Sequence, residues 1–258
     1  MKSLGMRVTK PVKPLIVPAV LFAIWQYSAG AGLLNPILSS PEIIVRALMD
    51  MIGSGELWRH LQMSVLRMLV GLIGGTVVGI ALGVLMASTR ATDRIVTPSF
   101  RALMQISAFA WIPLISVWMG TTEPARFTFI GFVCLFPVAL NTYEGIRKIP
   151  KAYTEVAIVS ALSGWRRFRL LTAPSAMPSI VTGIELAMLY AWLATIGTEL
   201  LMGNGVGVGA LMLAGQELVQ MELVFLGVLL SGAVGFVIAN TAALLRRQLV
   251  AEGSGAIR

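Results

Sequence analysis

Residues 153–179, reading YTEVAIVSALSGWRRFRLLTAPSAMPS, set one carboxylate, Glu155, and three guanidinium groups, Arg166, Arg167 and Arg169, among apolar residues and close on Pro174 and Pro178. Such a segment can grip a partner, but it holds no second acid with which Glu155 could share proton transfer. Two further carboxylates, Glu185 and Glu199, lie in an apolar run with Tyr190, Trp192 and Thr195 between them. A carboxylate in a membrane helix faces the bundle interior or a watery cavity and marks function, or is paired. Glu185, about two turns into that run, is the sharper anomaly, whereas Glu199 is near enough to the far end to reach an interface. One cysteine, Cys134, and one histidine, His60, leave no disulfide framework and no cysteine- or histidine-based metal centre. There is no Walker motif, no Ser/His/Asp or Cys/His arrangement and no pair of carboxylates in one polar loop, so the chain offers no catalytic constellation and needs no cofactor of its own.

The elements that must position these groups follow from composition. Of 258 residues 57% are hydrophobic and 12% charged, a balance that a water-soluble fold cannot cover. A polytopic, all-α membrane protein is expected. The formal charge of +8 does not indicate nucleic acid, because the basic residues sit in short clusters between apolar runs, not on one solvated face. The N-terminus has a basic start and an apolar stretch without an obvious small-residue cleavage site, so it reads as a retained first helix. About 20 apolar residues cross a hydrocarbon core. Six stretches meet that length: 14–34, 64–88, 99–120, 126–146, 179–202 and 223–245. Placing the N-terminus inside puts Lys2, Arg7, Lys10, Lys13, Arg90, Arg94, Arg101, Arg147, Lys148, Lys151, Arg166, Arg167, Arg169, Arg246, Arg247 and Arg258 in the cytoplasm. Both termini and the segment 153–178 are then cytoplasmic. The other face keeps Arg46, Arg59, Arg67 and Arg126 with Glu42, Asp50, Glu56, Glu123, Glu217 and Glu222.

In that external set, residues 41–51 form an amphipathic surface helix, and Arg46, Asp50 and His60 read as its solvated side and not as a ligand site. The second span repeats Gly71, Gly75, Gly79 and Gly83 at helical spacing, a stripe that allows close helix approach. The third span mixes Gln105, Ser107, Trp111 and Ser116 with Ile, Leu and Val, and Pro113 is expected to kink it in mid-membrane. A substrate path and plain helix packing both fit it. The external run Gly203-Asn204-Gly205-Val206-Gly207-Val208-Gly209 lacks the Lys and Ser/Thr of a phosphate loop and lies away from cytoplasmic nucleotide. It reads as a flexible turn before a short re-entrant or interfacial helix at about 208–218.

A cytoplasmic loop of mixed apolar and basic character suits a soluble partner that supplies energy better than anionic headgroups, since Glu155, Val156, Ile158, Val159, Ala161 and Leu162 make a poor polybasic patch. Here the sequence acquires a resemblance. Glu155-Val156-Ala157, then Ala161, Leu171 and Pro174, resembles the EAA loop of bacterial ABC importer permeases, whose pattern is Glu-Ala-Ala, three residues, Gly, nine residues, Ile-x-Leu-Pro. It departs twice, with Ala161 in the glycine position and Ala173 before Pro174, and Gly164 does not fill the same slot. Alanine allows a helix to continue where glycine would loosen it, so the resemblance leaves the local bend of the coupling element open at Ala161. Further pieces are similar to the branch that imports aliphatic sulfonates, taurine and nitrate: Ser40-Pro41-Glu42, residues 54–61 (SGELWRHL), Ile112-Pro113-Leu114, Trp118-Met119-Gly120, Phe136-Pro137, Pro178-Ser179-Ile180 and Glu199-Leu200-Leu201.

The resemblance implies a type I importer fold of six transmembrane helices in the bacterial inner membrane. It also implies a homodimer of permeases, two cytoplasmic ABC ATPase subunits that use ATP-Mg, and an external substrate-binding protein. The coupling residues carried over are Glu155, Val156, Ala157, Ala161, Leu162, Gly164 and Pro174, with Pro174 as the point where the chain turns back toward the membrane. The expected substrate path is Gln105, Trp111, Ser116, Glu185, Tyr190, Thr195 and Glu199. Where the branch often carries arginine, this chain has Glu185, which would disfavour an anion if it faced the path, or would pair with a basic residue such as Arg101. The other function class is a proton-coupled secondary transporter using Glu185 and Glu199 without an ATPase.

Overall fold

A computed structural model describes residues 13–30, 39–203 and 205–255, and every regular element among them is helical. The chain runs α1 (Lys13–Gly30), α2 (Pro41–Ser54), α3 (Glu56–Ser88), α4 (Arg90–Leu103), α5 (Trp111–Met119), α6 (Glu123–Arg147), α7 (Lys151–Val159), α8 (Gly164–Arg167), α9 (Ala173–Leu201), α10 (Val208–Glu217) and α11 (Met221–Gly255). Four described helical runs are long and apolar enough to cross a membrane: 56–88, 123–147, 164–201 and 221–246; a bent pair built from α4 and α5 makes a fifth. α1 covers residues 13–30 of the first expected span, and residues 31–34 lie outside the described set.

Local chemistry sets the helix ends. Pro41 occupies the first turn of α2, where its missing N–H would be unpaired in any case. Gly55, with φ of 80°, closes α2 in the left-handed region and at once begins α3. Thr89 and Thr92 form a reciprocal capping box at the start of α4, with N···O distances of 3.1 and 3.2 Å.

The centre of the bundle is α3 packed on α6, with α9 against α6. A Cβ added at Gly71 would meet Ile130; one at Gly75 would meet Gly131 and Cys134, at Gly79 Val138, and at Gly83 Ala139 and Thr142. Gly74, off the stripe, faces open space. The expected glycine face is therefore a backbone-to-backbone seam against α6. Phe129, Ile130, Cys134 and Val138 fill it without solvent exposure, joined from α9 by Ala187 and Ala191. Trp192 fastens α9 to α11 by donating Nε1–H to the Ser231 carbonyl at 3.0 Å. α2 buries Ile44 and Met51 against Leu57, Leu211 and Leu226.

The helix expected over 99–120 is instead two helices meeting at 86°. The break lies at Met104–Ser107, where the polar Gln105 and Ser107 stand, and not at Pro113. Pro113 is the third residue of α5, in the first turn, whose N–H groups have no intrahelical acceptor. It therefore costs no hydrogen bond. The second difference is at Pro174 and Pro178, which do not end the segment 153–179. Helix restarts at Gly164 and runs unbroken to Leu201. A π turn over Phe168–Thr172, with Ala173 N–H bonding to the Phe168 carbonyl, absorbs the register change just before the prolines. The chain reverses at 160–163.

Candidate functional site

At the reversal, α7 ends in a Schellman motif. Leu162 N–H bonds to the Ala157 carbonyl at 2.9 Å, Ala161 N–H bonds to the Ile158 carbonyl at 3.0 Å, and Ala161 takes φ of 54°. The local bend that Ala161 left open is therefore present. The turn that glycine would favour forms with Ala161, at the steric cost of a left-handed non-glycine residue. Gly164 has φ of 51° and open space around it. Ala157 is buried and Leu162 half-buried, so the two residues bracketing the turn point inward. Val156, Ile158 and Val159 are exposed, Val159 at 88%, and Glu155 is exposed beside them. The face intended for a partner is thus narrower than residues 156–162. Trp165 stacks on Phe168 with ring centroids 5.4 Å apart.

The C-terminal end of α6, three residues before α7, is tied to α4. Asp93 accepts a hydrogen bond from Tyr143 Oη–H at 2.6 Å and one from Thr97 Oγ1–H at 3.2 Å, and its other oxygen lies 3.2 Å from Arg147 of α6. Residues 148–150 alone separate α6 from α7, so this α4–α6 tie lies close to the start of α7. α4 in turn leads to the break at Met104–Ser107.

That break borders a cavity of about 500 Å³ between the α4–α5 corner, α6 and α9. Of the expected path residues, Gln105 and Tyr190 line it, together with Ser107 and Asn141. The others do not. Trp111 packs on Phe132 at 5.1 Å, and Thr195 donates its hydroxyl to the Ala191 carbonyl at 2.8 Å within its own helix. Ser116 is half-buried on α5 outside the lining. Glu185 lies toward α11, where Arg246 approaches to 3.5 Å. The pairing residue is Arg246 rather than the expected Arg101.

Glu199 is engaged at the opposite end of the bundle from α7. It is 1% exposed and does not reach an interface. Its Oε1 accepts from Arg67 Nη1 at 2.7 Å and Ser64 Oγ at 2.8 Å, and its Oε2 accepts from Gly209 N at 2.8 Å. Arg67, equally buried, also forks onto Glu123 through Nε (2.7 Å) and Nη2 (2.6 Å) and donates to the Val206 carbonyl at 2.5 Å. Arg126 bonds Glu123 at 2.7 Å and the Gly203 carbonyl at 2.5 Å. Two arginines and two glutamates form a charge-balanced knot that holds the backbone of the loop before α10. Ser64 Oγ accepts from Val208 N at 2.9 Å, and His60 Nδ1 lies 2.7 Å from the Gly207 carbonyl oxygen. The glycine-rich run, expected to be a flexible turn, is clamped. A Cβ at Gly207 or Gly209 would strike Glu199, so these glycines admit the loop over a buried carboxylate. α10 follows as the expected short helix.

Arg67, Glu123, Arg126, Ser64 and the Asp93–Tyr143 pair did not stand out in the sequence. The available signal was an arginine in the first turn of the apolar span 64–88, with Glu123, Arg126 and Glu199 near the ends of other expected spans. His60, taken for a surface residue, belongs to the clamp.

Four or five long apolar helices, a turn that exposes an apolar face and a cavity beside a broken helix are the features of a polytopic membrane protein. The chain superposes on the crystal structure of an amino acid ABC transporter with a TM-score of 0.64 at 13% identity, covering 78% of this chain and 98% of the other, a likeness of fold. Residues 75–251 match the binding-protein-dependent transport system inner membrane component family, and the chain belongs to that family. It is similar to proteins described as the aliphatic sulfonates transport permease SsuC of Bacillus subtilis (33% identical; 93% of this chain, 87% of the relative) and of Escherichia coli (34%; 92% and 90%). It is likewise similar to the bicarbonate transport system permease CmpB of Synechococcus elongatus (30%; 88% and 85%). The protein is therefore a multi-pass permease subunit of a binding-protein-dependent ABC importer in the cytoplasmic membrane.

Proposed function

We propose that two copies of this chain form a homodimeric pore driven by two cytoplasmic ABC ATPases and supplied by an external substrate-binding protein. Each copy spans the membrane six times, over 14–34, 64–88, the bent α4–α5 pair, 126–146, 179–202 and 223–245, with both termini cytoplasmic. The permease has no ATPase site; ATP-Mg is hydrolysed by the partners. Residues 153–178 couple the two, with α7 seated in the ATPase through Val156, Ile158, Val159 and Glu155. Nucleotide-driven closure moves α7, the Asp93 tie carries that motion into α4, and the corner at Met104–Ser107 opens or closes the cavity to alternate access. The cargo is a small organic solute or anion. The charge argument against an anion loses its footing, because Glu185 stands outside the cavity beside Arg246.

The observation that carries this reading is the uncovered apolar face of α7 next to an exposed Glu155. Proton coupling through Glu185 and Glu199 finds no support in the geometry, since each carboxylate faces an arginine and both oxygens of Glu199 are occupied. Replacing Glu155 by lysine in the reconstituted importer is expected to lower ATP-dependent uptake at least tenfold, with normal amounts of permease in the membrane. Full uptake by the Glu155→Lys protein, or by wild type without an ATPase, would contradict the reading.

A further inference from the structure

The transport reading leaves open what the pore accepts, and the cavity beside the α4–α5 corner bears on this. Its volume of about 500 Å³ falls within the range of pockets that enclose small organic molecules. A water molecule takes about 30 Å³ of liquid, so a three-oxygen inorganic anion would fill roughly a tenth of it. Most of the lining is apolar: Leu186 and Phe136 are joined by Val133, Leu140 and Ile106. None of the lining residues is Asp, Glu, Lys, Arg or His.

Three elements contribute the polar side chains of this wall. Gln105 and Ser107 come from the helix break, and Tyr190 comes from α9. Pro137 has no N–H to give the carbonyl four residues earlier, that of Val133, and both residues line the cavity. Asn141 donates its amide to the Pro137 carbonyl at 2.8 Å, which leaves its side-chain oxygen as an acceptor. The head of a solute would therefore meet neutral amide, hydroxyl and carbonyl groups. A bare inorganic ion would exchange its hydration for a largely apolar wall with few donors, which is unfavourable. A solute with a carbon body gains by covering that wall.

We infer that the cavity is a transport subsite for amphipathic organic solutes, with a carbon body of several atoms against Phe136 and Leu186 and a compact polar head at Gln105, Ser107 and Tyr190. Inorganic oxyanions are poor occupants. The inference rests on the permease reading and narrows it.

The test uses the purified permease–ATPase complex in lipid nanodiscs, without binding protein, titrated with straight-chain sulfonates and straight-chain ammonium ions from one to eight carbons, and with nitrate and bicarbonate. Binding in at least one organic series is expected to tighten tenfold or more between one and six carbons, and to exceed that of nitrate and bicarbonate by at least as much. Leu186→Trp, which fills the cavity from a partly exposed position, and Phe136→Ala should each remove the chain-length dependence, while Val117→Ala on the outer side of α5 should keep it. Equal binding of nitrate or bicarbonate, absence of a length dependence in both series, or a length dependence that survives Leu186→Trp overturns the inference. ATP-driven uptake confined to an inorganic anion would do so too, while leaving the permease reading in place.

Discussion

Arg67 and Glu199 show how a single residue's surroundings decide its role. Each is enclosed, and each satisfies several partners at once; Arg67 is the cation on Glu199, so removing it strands that carboxylate. Arg67→Leu is expected to destabilise the purified complex by about 3–5 kcal/mol, whereas Arg147→Gln, which breaks a half-exposed contact with Asp93, should cost less than about 1 kcal/mol. Thermal unfolding of the two variants side by side tests the contrast, and equal losses would contradict it. Ala161 is the other informative residue. Because it already occupies a left-handed turn, Ala161→Gly should relieve strain of about 1 kcal/mol and leave uptake intact, while Ala161→Val, branched at Cβ, should lower uptake severalfold. Reduced uptake in the glycine variant would show that the turn is not what α7 requires. The residue types were all legible in the sequence. Their partners were not, because Glu199 meets Arg67 across 132 positions of chain, and periodicity carries no information at that separation.

At the scale of elements, the glycine stripe of α3 was readable because its spacing alone selects one helical face. Its partner, the Ile130–Thr142 side of α6, required coordinates. Gly75→Val should push α3 from α6 and lower the yield of folded protein severalfold in membranes. Gly74→Val, one position off the seam, should leave it near wild type. Similar losses in both would mean that the two helices do not depend on this close approach. The third expected span was misplaced for a physical reason. Proline disrupts a helix only where an N–H was needed, and Pro113 stands in a first turn where none is. The break falls at Gln105 and Ser107, polar residues that the same reading had noted but not weighted as a corner. The prolines at 174 and 178 misled in the same way, because the π turn ahead of them adjusts the helix and the reversal is left to Ala161 and Gly164.

For the whole molecule, the two ends of the bundle have opposite character. One end is locked by the Arg67–Glu199–Glu123–Arg126 knot, which joins α3, α6 and α9 and clamps the loop entering α10. The other end leaves α7 uncovered, close to the Asp93 tie between α4 and the end of α6. Family and class were legible early because the coupling pattern is local in sequence, whereas the cavity and the knot are assembled from distant helices. The central claim is that α7 is the surface through which an ATPase drives this permease. Val159→Cys tests it most directly, since Cys134 is fully buried and the new thiol is the accessible one. With its ATPase present in the membrane, this variant is expected to cross-link to the ATPase subunit in a nucleotide-dependent way and to lose ATP-driven uptake once linked. Absence of any cross-link, with uptake unchanged after bulky modification of that thiol, would contradict the account.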